Sequence, residues 1–409
     1  MLDQNFSGRN FLRLTSRTDP RRHRLGRNRR QYLETLNRIS EAALSDSFKF
    51  SRFAKSSIGN DPIFTVTSRV DEYVLRKLND NLTRIYRVKQ AARGQIVSQV
   101  ATLLAEQVPF TAIKLDIKKF YESIHRKTLI EKICADTEPS FQTKRFLNLL
   151  FQPGRHFPGT GLPRGVGLSA TLSEIYMKNF DEAMSTFDGV YFYARYVDDI
   201  IIFTCGNSTE TIEFAKNNLP AGSHFNEVKE KIIHINEFGF SSNKNSSSLD
   251  YLGYTFNFKK KGDKKNDPQL TIEISKKKID RIKNRIILSL ISYTRNLDFE
   301  LCRDRFAFIT GNFVMESEKT KGKLYSGIYY NYHLISESSH QQLRDLDEFS
   351  RKVIFSRKNG FGRRLSCVLS DPGRRDLAKY SFETGFKAKI VKHFSPARLV
   401  KIKGCWKHV

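Results

Sequence analysis

The chain lacks any run of eighteen apolar residues, so it carries no segment that reads as a membrane-spanning helix. Its N-terminus also lacks the apolar stretch of a signal peptide, and a cytoplasmic location is expected. Cysteine is scarce and unordered: Cys134, Cys205, Cys302, Cys367 and Cys405 are odd in number and irregular in spacing, with no disulfide or zinc framework. The nine histidines form no metal-binding spacing with them. Acidic residues are in deficit, 43 against 70 Lys and Arg, which leaves a formal charge of +27 and a pI near 9.8. Such an excess attracts a polyanion and makes binding strongly salt dependent. The 16 Tyr and 32 Phe add stacking surfaces suited to bases. Charge and aromatics alone would equally describe a binder with no catalysis. The length, 409 residues, suffices for two or three subdomains around a substantial core.

Against that deficit, two acidic residues stand side by side in Tyr193-Ala194-Arg195-Tyr196-Val197-Asp198-Asp199-Ile200-Ile201-Ile202-Phe203. The segment reads as two apolar strands, 190–196 and 200–204, joined by a tight hairpin that carries the carboxylates. Like charges repel, and burying them costs several kcal/mol unless a cation compensates. A solvated acidic turn is the plain alternative. A third carboxylate favours the cation: Asp116 ends the largely apolar run Ala112-Ile113-Lys114-Leu115, and Phe120, Tyr121 and Ile124 then follow at helical spacing. Asp116 is thus expected where a strand gives way to a helix, on a neighbour of the Asp198 strand. Carboxylates so placed suit two Mg²⁺ ions roughly 3.5–4 Å apart, the arrangement that in-line phosphoryl transfer uses.

An aspartate followed five residues later by an aromatic, then a Tyr-x-Asp-Asp hairpin, resembles the palm of reverse transcriptases. Between the two, Gly161-Leu162-Pro163-Arg164-Gly165-Val166-Gly167-Leu168-Ser169-Ala170 resembles the family's Leu-Pro-x-Gly…Ser segment. Further on, Asn226-x-x-Lys229 resembles its lysine motif and Leu249–Phe256 its primer-grip hairpin. Upstream, Arg84–Val97 resembles its fingers. The resemblance spans roughly residues 84–258 with the motifs in family order. It implies an α+β, right-hand polymerase fold with fingers, a palm of antiparallel sheet packed by helices, and a helical thumb.

The roles implied follow residue by residue. Asp116, Asp198 and Asp199 are catalytic, and Asp116, Ile117, Asp198 and Asp199 are the positions that hold two Mg²⁺, with Mn²⁺ substituting. One ion would lower the pKa of the attacking 3′-hydroxyl and the other would neutralise the leaving pyrophosphate. Tyr121 would collide with a 2′-hydroxyl and so select deoxynucleotides; the alternative is a core aromatic, the expectation for Phe120. Lys89 and Arg93 match the basic pair that grips the triphosphate, or else belong to a solvated basic helix face. Lys229 belongs to the nucleotide site, with Lys231 an equal candidate. Gly165 would let the backbone approach the template–nucleotide pair. Arg164 departs from the glutamine usual in retroviral members, yet its planar fork suits nucleotide phosphates or the template backbone. Ser169 or Thr171 would cap a helix over 172–180, Glu174 completing a capping box.

Outside the palm the sequence is less specific. Residues 1–60 form a basic extension whose Arg21, Arg22 and Arg24 would clamp RNA, unless they belong to a solvated tail. Fingers and palm are expected over 61–258, a helical thumb over 259–350 and a basic C-terminal extension over 351–409. Residues 259–268 read as an exposed turn. Ser275 starts a helix with Ile279, Ile282, Ile286 and Leu290 on one face. Lys276, Lys277, Arg281 and Arg285 on that helix, with Leu252 and Gly253 in the primer grip, are the expected nucleic-acid contacts. The Tyr-rich segment 323–330 either contacts nucleic acid or packs the thumb. Neither an RNase H constellation nor a homing-endonuclease cluster is legible.

Within the family, the Ser-Ala-Thr-Leu-Ser-Glu wording after Gly167, the compact length and the opening Met1-Leu2-Asp3-Gln4-Asn5-Phe6-Ser7 resemble bacterial defence-associated reverse transcriptases, closest to the first enzyme of the type 3 system. That resemblance implies antiphage immunity, a structured non-coding RNA as template, deoxynucleotide triphosphates as substrates, a DNA product, and a second reverse transcriptase as partner. An oligomer is compatible with it, a membrane is not required. Template-independent nucleotide addition and a catalytically silent RNA scaffold are the competing readings.

Overall fold

A computed structural model describes residues 2–406 except 60, 107, 237–238, 241–247, 261–267, 317–322 and 359. The chain divides into two compact units, Met1–Ile96 with Pro109–His234, and Val97–Val108 with Ile235–Val409. Among the described residues no helix is long and apolar enough to cross a membrane.

The first unit begins with helices α1 (Gly8–Arg13), α2 (Asp19–Arg22) and α3 (Arg29–Leu44). They are not a tail. Phe6, Phe11, Leu25 and Leu36 lie in the same apolar core as Ile113, Leu115 and Ile200. Each such side chain contributes roughly 1.5–3 kcal/mol by burial, more than a solvated arm could forgo. The hairpin of β1 (Ala54–Ile58) and β2 (Asp61–Thr65) comes next, then α4 (Arg69–Ile85). Ser68 caps α4 by accepting from the Asp71 N–H, and α4 buries Tyr73, Val74, Leu78 and Leu82 against α3, α8 (Phe141–Leu150) and α9 (Leu168–Thr186).

Between α4 and α9 run α5 (Arg93–Ala105), β3 (Phe110–Asp116), α6 (Phe120–Ser123) and α7 (Arg126–Ala135); β4 (Val190–Tyr196), β5 (Asp199–Thr204), α10 (Ser208–Asn218) and β6 (Lys231–Asn236) follow α9. The sheet runs β4–β5–β3–β6, with β3 and β4 both antiparallel to β5. Ile200, Ile201, Ile202 and Phe203 are all fully buried, so β5 is a central strand covered on both faces, which is why its sequence does not alternate.

Helix α9 is longer than the expected 172–180 and starts differently. Gly167 occupies its N-cap with no side-chain cap bond. Ser169 Oγ donates instead to the Pro163 carbonyl at 2.7 Å, Thr171 Oγ1 donates to Asn79 Oδ1 at 2.7 Å, and Glu174 pairs with β4. No capping box forms, because all three side chains find longer-range partners.

In the second unit, β7 (Gly239–Phe240) pairs with the end of β6, and β8 (Ser248–Tyr251), β9 (Tyr254–Lys260) and β10 (Pro268–Ile274) form an antiparallel sheet. Leu252 and Gly253 join β8 to β9 with φ of 45° and 84°, the pair of positive values that a two-residue hairpin loop demands. Of the expected turn 259–268, Lys259 and Lys260 belong to β9 and Pro268 to β10, and residues 261–267 lie outside the described residues. Helix α11 (Lys276–Asn296) buries Ile282, Ile286, Leu290 and Tyr293. Helices α12 (Phe299–Thr310), α13 (Ile328–Tyr332), α14 (Gln341–Ile354), α15 (Gly360–Val368), α16 (Asp371–Leu377), α17 (Phe382–Lys387) and α18 (Pro396–Gly404) complete it, with β11 (Asn312–Glu316), β12 (Lys323–Gly327) and β13 (Val391–Lys392). The C-terminal segment is docked rather than trailing: the buried Trp406 donates from Nε1 to the Arg285 carbonyl at 3.1 Å. In the Tyr-rich segment, Tyr325 stacks on Tyr330, and Tyr329 packs on Phe386 beneath the Lys389 ammonium.

Candidate active site

The carboxylates meet where β3 ends and β5 begins, at the loop that joins β4 to β5. Asp116, last residue of β3, lies directly across from Asp199, first residue of β5, and Asp199 in turn faces Tyr196 of β4. Asp198 sits in the two-residue loop between β4 and β5, and its carbonyl accepts the Ile117 N–H at 3.0 Å. The strand ends are therefore clamped by backbone as well as by sheet register. Asp116 thus lies beside both aspartates, as expected: Asp199 is its cross-strand partner, and Asp198 is bonded to the next residue, Ile117. Val197, the other loop residue, has φ of +61°, a region that a β-branched side chain rarely enters.

Asp116 is 4% exposed. Its carboxylate accepts Lys229 Nζ at 2.9 Å on each oxygen, and its carbonyl accepts the Asn226 N–H at 2.7 Å. Asn226 precedes and Lys229 ends the short 3₁₀ turn Glu227–Lys229. Of the two candidate lysines, Lys229 faces the carboxylates, whereas Lys231 opens β6 exposed. Bonding to Asp116 pushes the Lys229 ammonium above its usual pKa. Burial pushes the Asp198 and Asp199 carboxyls up, and the neighbouring carboxylates push further in the same direction. Hard oxygen donors drawn together, two of them raised by burial despite Lys114 and Lys229 nearby, are of the type that suits a divalent cation.

The aromatic pair divides as expected in burial. Phe120 is in the core, while Tyr121 is half-buried beside it, its ring 5.8 Å from the Arg164 guanidinium carbon. Burial raises the Tyr121 hydroxyl above its ordinary pKa, so it stays protonated. The Arg164 fork is engaged, at 2.6 and 3.1 Å, with Glu122, and Asp61 lies 3.7 Å away. Gly165 lies against β2. Its φ is +89°, and a Cβ there would come within 2.5 Å of the Phe64 carbonyl, so the missing side chain serves packing against β2. Glu122 and Asp61 went unread in the sequence because only the fold brings them to Arg164.

Lys89 lies exposed in the loop before α5, not on a helix face, and Arg93 is the half-buried first residue of α5. In the N-terminal segment, Arg21 and Arg24 are exposed, but Arg22 pairs with Glu72 at 3.1 Å. On α11, Lys276, Lys277 and Arg281 line a groove of about 500 Å³ with Asp280 and Asn284. Arg285 is outside it: the guanidinium lies 5.4 Å from the Trp406 ring centre, and burial lowers its pKa. Leu252 and Gly253 occupy the β8–β9 turn of the second unit.

A family model described as reverse transcriptase (RNA-dependent DNA polymerase) matches residues 36–256, over half the chain. Among solved structures, apo telomerase from Candida tropicalis truncated from its C-terminal domain is similar at 14% identity and a TM-score of 0.36, covering 55% of this chain and 56% of that one. Telomerase from Candida albicans in complex with the TWJ fragment of telomeric RNA is similar at 12% identity and a TM-score of 0.38, covering 92% and 66%. The chain thus spans 56% and 66% of the lengths of these two relatives. No curated protein matches in sequence.

Proposed function

Because the chain belongs to the reverse transcriptase family, we propose that it adds deoxynucleotides to a 3′-hydroxyl on an RNA template, with Mg²⁺ at Asp116, Asp198 and Asp199. The observation that carries this reading is the register that sets Asp116 across from Asp199, with Asp198 in the adjoining loop. Mg²⁺, or Mn²⁺ in its place, supplies positive charge that favours the attacking oxygen as an anion and the pyrophosphate as a leaving group. Asp198 and Asp199, raised by burial, gain most from such a cation. Ile117 contributes by fixing the loop through its N–H. Tyr121, braced by Phe120 and Arg164, presents its ring as the barrier to a 2′-hydroxyl. Lys229, kept protonated by Asp116, provides a cation for the triphosphate once Asp116 is shared, and Lys89 and Arg93 supply more. Arg164 and Gly165 shape this pocket rather than grip phosphate. Lys276, Lys277 and Arg281 suit the phosphates of a template–product duplex, Leu252 and Gly253 the primer end, and Arg21 and Arg24 a structured RNA.

The wording after Gly167 and the opening residues support a place among bacterial defence-associated enzymes, with a companion non-coding RNA as template and a second reverse transcriptase as partner. The test is deoxynucleotide incorporation by the purified protein with its co-purifying RNA and Mg²⁺, sequencing the product and running Asp198→Ala alongside. DNA complementary to that RNA, absent from the variant, is the expected result. Product indifferent to changes in the RNA would mean template-independent addition, and tight RNA binding without product would favour a scaffold.

A further inference from the structure

We infer that Arg195 is a positioning residue that holds the Val197–Asp198 loop, and through it the carboxylates, in place from helix α9. The inference rests on the reading of Asp116, Asp198 and Asp199 as cation ligands. Arg195 is one residue from Tyr196 and would pass in the sequence for one more basic side chain. In the fold it is 7% exposed. Side chains two apart on a strand share a face, so Tyr193 and Arg195 both meet α9, where Glu174 and Asp181, two helical turns apart, also share a face. The guanidinium has five N–H donors, and five hydrogen bonds leave it. Nε and Nη2 donate to the two oxygens of Asp181 at 2.8 and 2.6 Å; Nη2 and Nη1 donate to those of Glu174 at 2.7 and 3.4 Å. The fifth, from Nη1, goes to the Val197 carbonyl at 3.0 Å. Tyr193 completes the anchor by donating to Asp181 Oδ1 at 2.6 Å.

That last guanidinium bond distinguishes this cluster from an ordinary buried ion pair. Val197 occupies a left-handed conformation that its β-branched side chain disfavours, and such a conformation persists only where the surroundings impose it. Arg195 reaches the strained residue itself, whose neighbour is Asp198. Its two carboxylate anchors are fixed on a 19-residue helix, so the loop is tied to a rigid element. Burial opposes the charge on Arg195, yet Asp181 and Glu174 hold its pKa above the usual value, so it is present as a full donor set at any working pH. Lysine cannot substitute: a point charge with three donors reaches either the carboxylates or the loop.

The test compares wild type with Arg195→Lys, Val197→Gly in the Arg195→Lys background, and Glu174→Gln, all as full chains with co-purifying RNA. The readouts are thermal melting, Mn²⁺ binding by electron paramagnetic resonance, the Mg²⁺ dependence of incorporation, and the KM for deoxynucleotide. Arg195→Lys is expected to weaken Mn²⁺ binding about 10-fold and to raise the Mg²⁺ requirement similarly, the scale for partners behind metal ligands, with KM little changed. Val197→Gly removes the conformational strain and is expected to recover part of the loss. Wild-type Mn²⁺ binding and Mg²⁺ dependence in Arg195→Lys, or a loss that Val197→Gly leaves untouched, would overturn the inference. If Arg195→Lys does not fold, Glu174→Gln decides: a raised Mg²⁺ requirement or weakened Mn²⁺ binding supports the role, and wild-type values reject it. Wild type that binds Mn²⁺ without incorporating nucleotides defeats the polymerase reading while the Mn²⁺ comparison still judges Arg195. Wild type that binds no Mn²⁺ overturns both.

Discussion

Two acidic clusters in the first unit use the same side chains to opposite ends. Asp19 and Glu72, with His23, bring three ligand-type atoms within 4.8 Å of one another, the only group among the described residues with that spacing of His, Cys, Asp or Glu. Yet Arg76 donates to both oxygens of Asp19 and, at 2.7 Å, to Glu72, while Arg22 pairs with Glu72 from outside. Burial would raise Asp19, but Arg76 and the Ser16 N–H outweigh it and hold the carboxyl below its ordinary value. Burial holds the His23 imidazole below its own, against the pull of Glu72 and Asp19, so the compensating charge is carried by arginine. In the palm, Asp198 and Asp199 are raised instead, and the cation bonded to Asp116 is a lysine whose side chain is 56% exposed. In one cluster arginine outweighs burial at Asp19; in the other, burial outweighs the nearby lysines Lys114 and Lys229 at Asp199. Clustering of ligand atoms alone would choose the N-terminal group, whereas the sign of the carboxyl shift distinguishes the two.

The sharpest way to break this contrast is to remove an acid from each. Asp198→Ala or Asp199→Ala is expected to reduce incorporation to background while the melting curve and RNA binding survive. Extension at the wild-type rate by either purified variant would sink the assignment of the palm cluster. Asp19→Asn should leave the rate per folded molecule unchanged.

Removing the compensation from the N-terminal cluster comes next. Arg76→Ala strands Asp19 and Glu72 in a buried setting, and the expected loss is about 3–5 kcal/mol in urea denaturation, the scale for breaking one half of a buried pair. A loss under about 1 kcal/mol would mean that Arg22 and His23 suffice as partners.

A smaller effect has opposite signs in the two places. The raised carboxyls of Asp198 and Asp199 favour the folded state below the ordinary aspartate range, and that contribution is lost as pH rises through their raised values. At neutral pH they burden the metal-free protein. Asp199→Asn should therefore stabilise it, and Mg²⁺ should raise the melting temperature of wild type but not of this variant. Asp19, being lowered, contributes above the ordinary range and loses that contribution as pH falls through its lowered value. Asp19→Asn should thus destabilise. Each shift is expected at about 1 kcal/mol, and melts in chelator at neutral pH read both. Equal signs would collapse the distinction.

The palm was legible because its chemistry is written locally: an apolar strand, an aspartate, a turn, another strand. Short apolar runs and turn length place Asp116, Asp198 and Asp199 at strand ends without any knowledge of distant contacts. What could not be read was the identity of each charged residue's partner. Arg195 and Glu174 lie 21 positions apart and Arg164 and Glu122 lie 42 apart, so a capping box looked equally sound for Glu174 until the helix began at Leu168. The basic N-terminal run misled for a related reason. Charge density suggested a tail, whereas Phe6, Phe11 and Leu25, spaced among the arginines, carry the segment into the core. Basic composition describes the surface such a segment shows and says little about what it buries.

The smallest expected effects extend the same question from acids to arginines, because a guanidinium already engaged within the protein has less to offer a phosphate. In the N-terminal segment Arg22 is bonded to Glu72, while its neighbours Arg21 and Arg24 are exposed. On α11 the Arg285 guanidinium lies over Trp406, while Lys276 and Lys277 line the open groove. A phosphate contact appears as a change in salt dependence, since each neutralised phosphate releases counterions. Lys276→Ala and Arg21→Ala should each lower the slope of log affinity against log salt by about 1 or less. Arg22→Ala and Arg285→Ala should leave the slope nearly unchanged and instead lower the unfolding midpoint. If Arg285→Ala flattened the salt dependence as much as Lys276→Ala, the stacked guanidinium would have to leave Trp406 on binding. Compensation within the free protein would then no longer distinguish structural from functional charge.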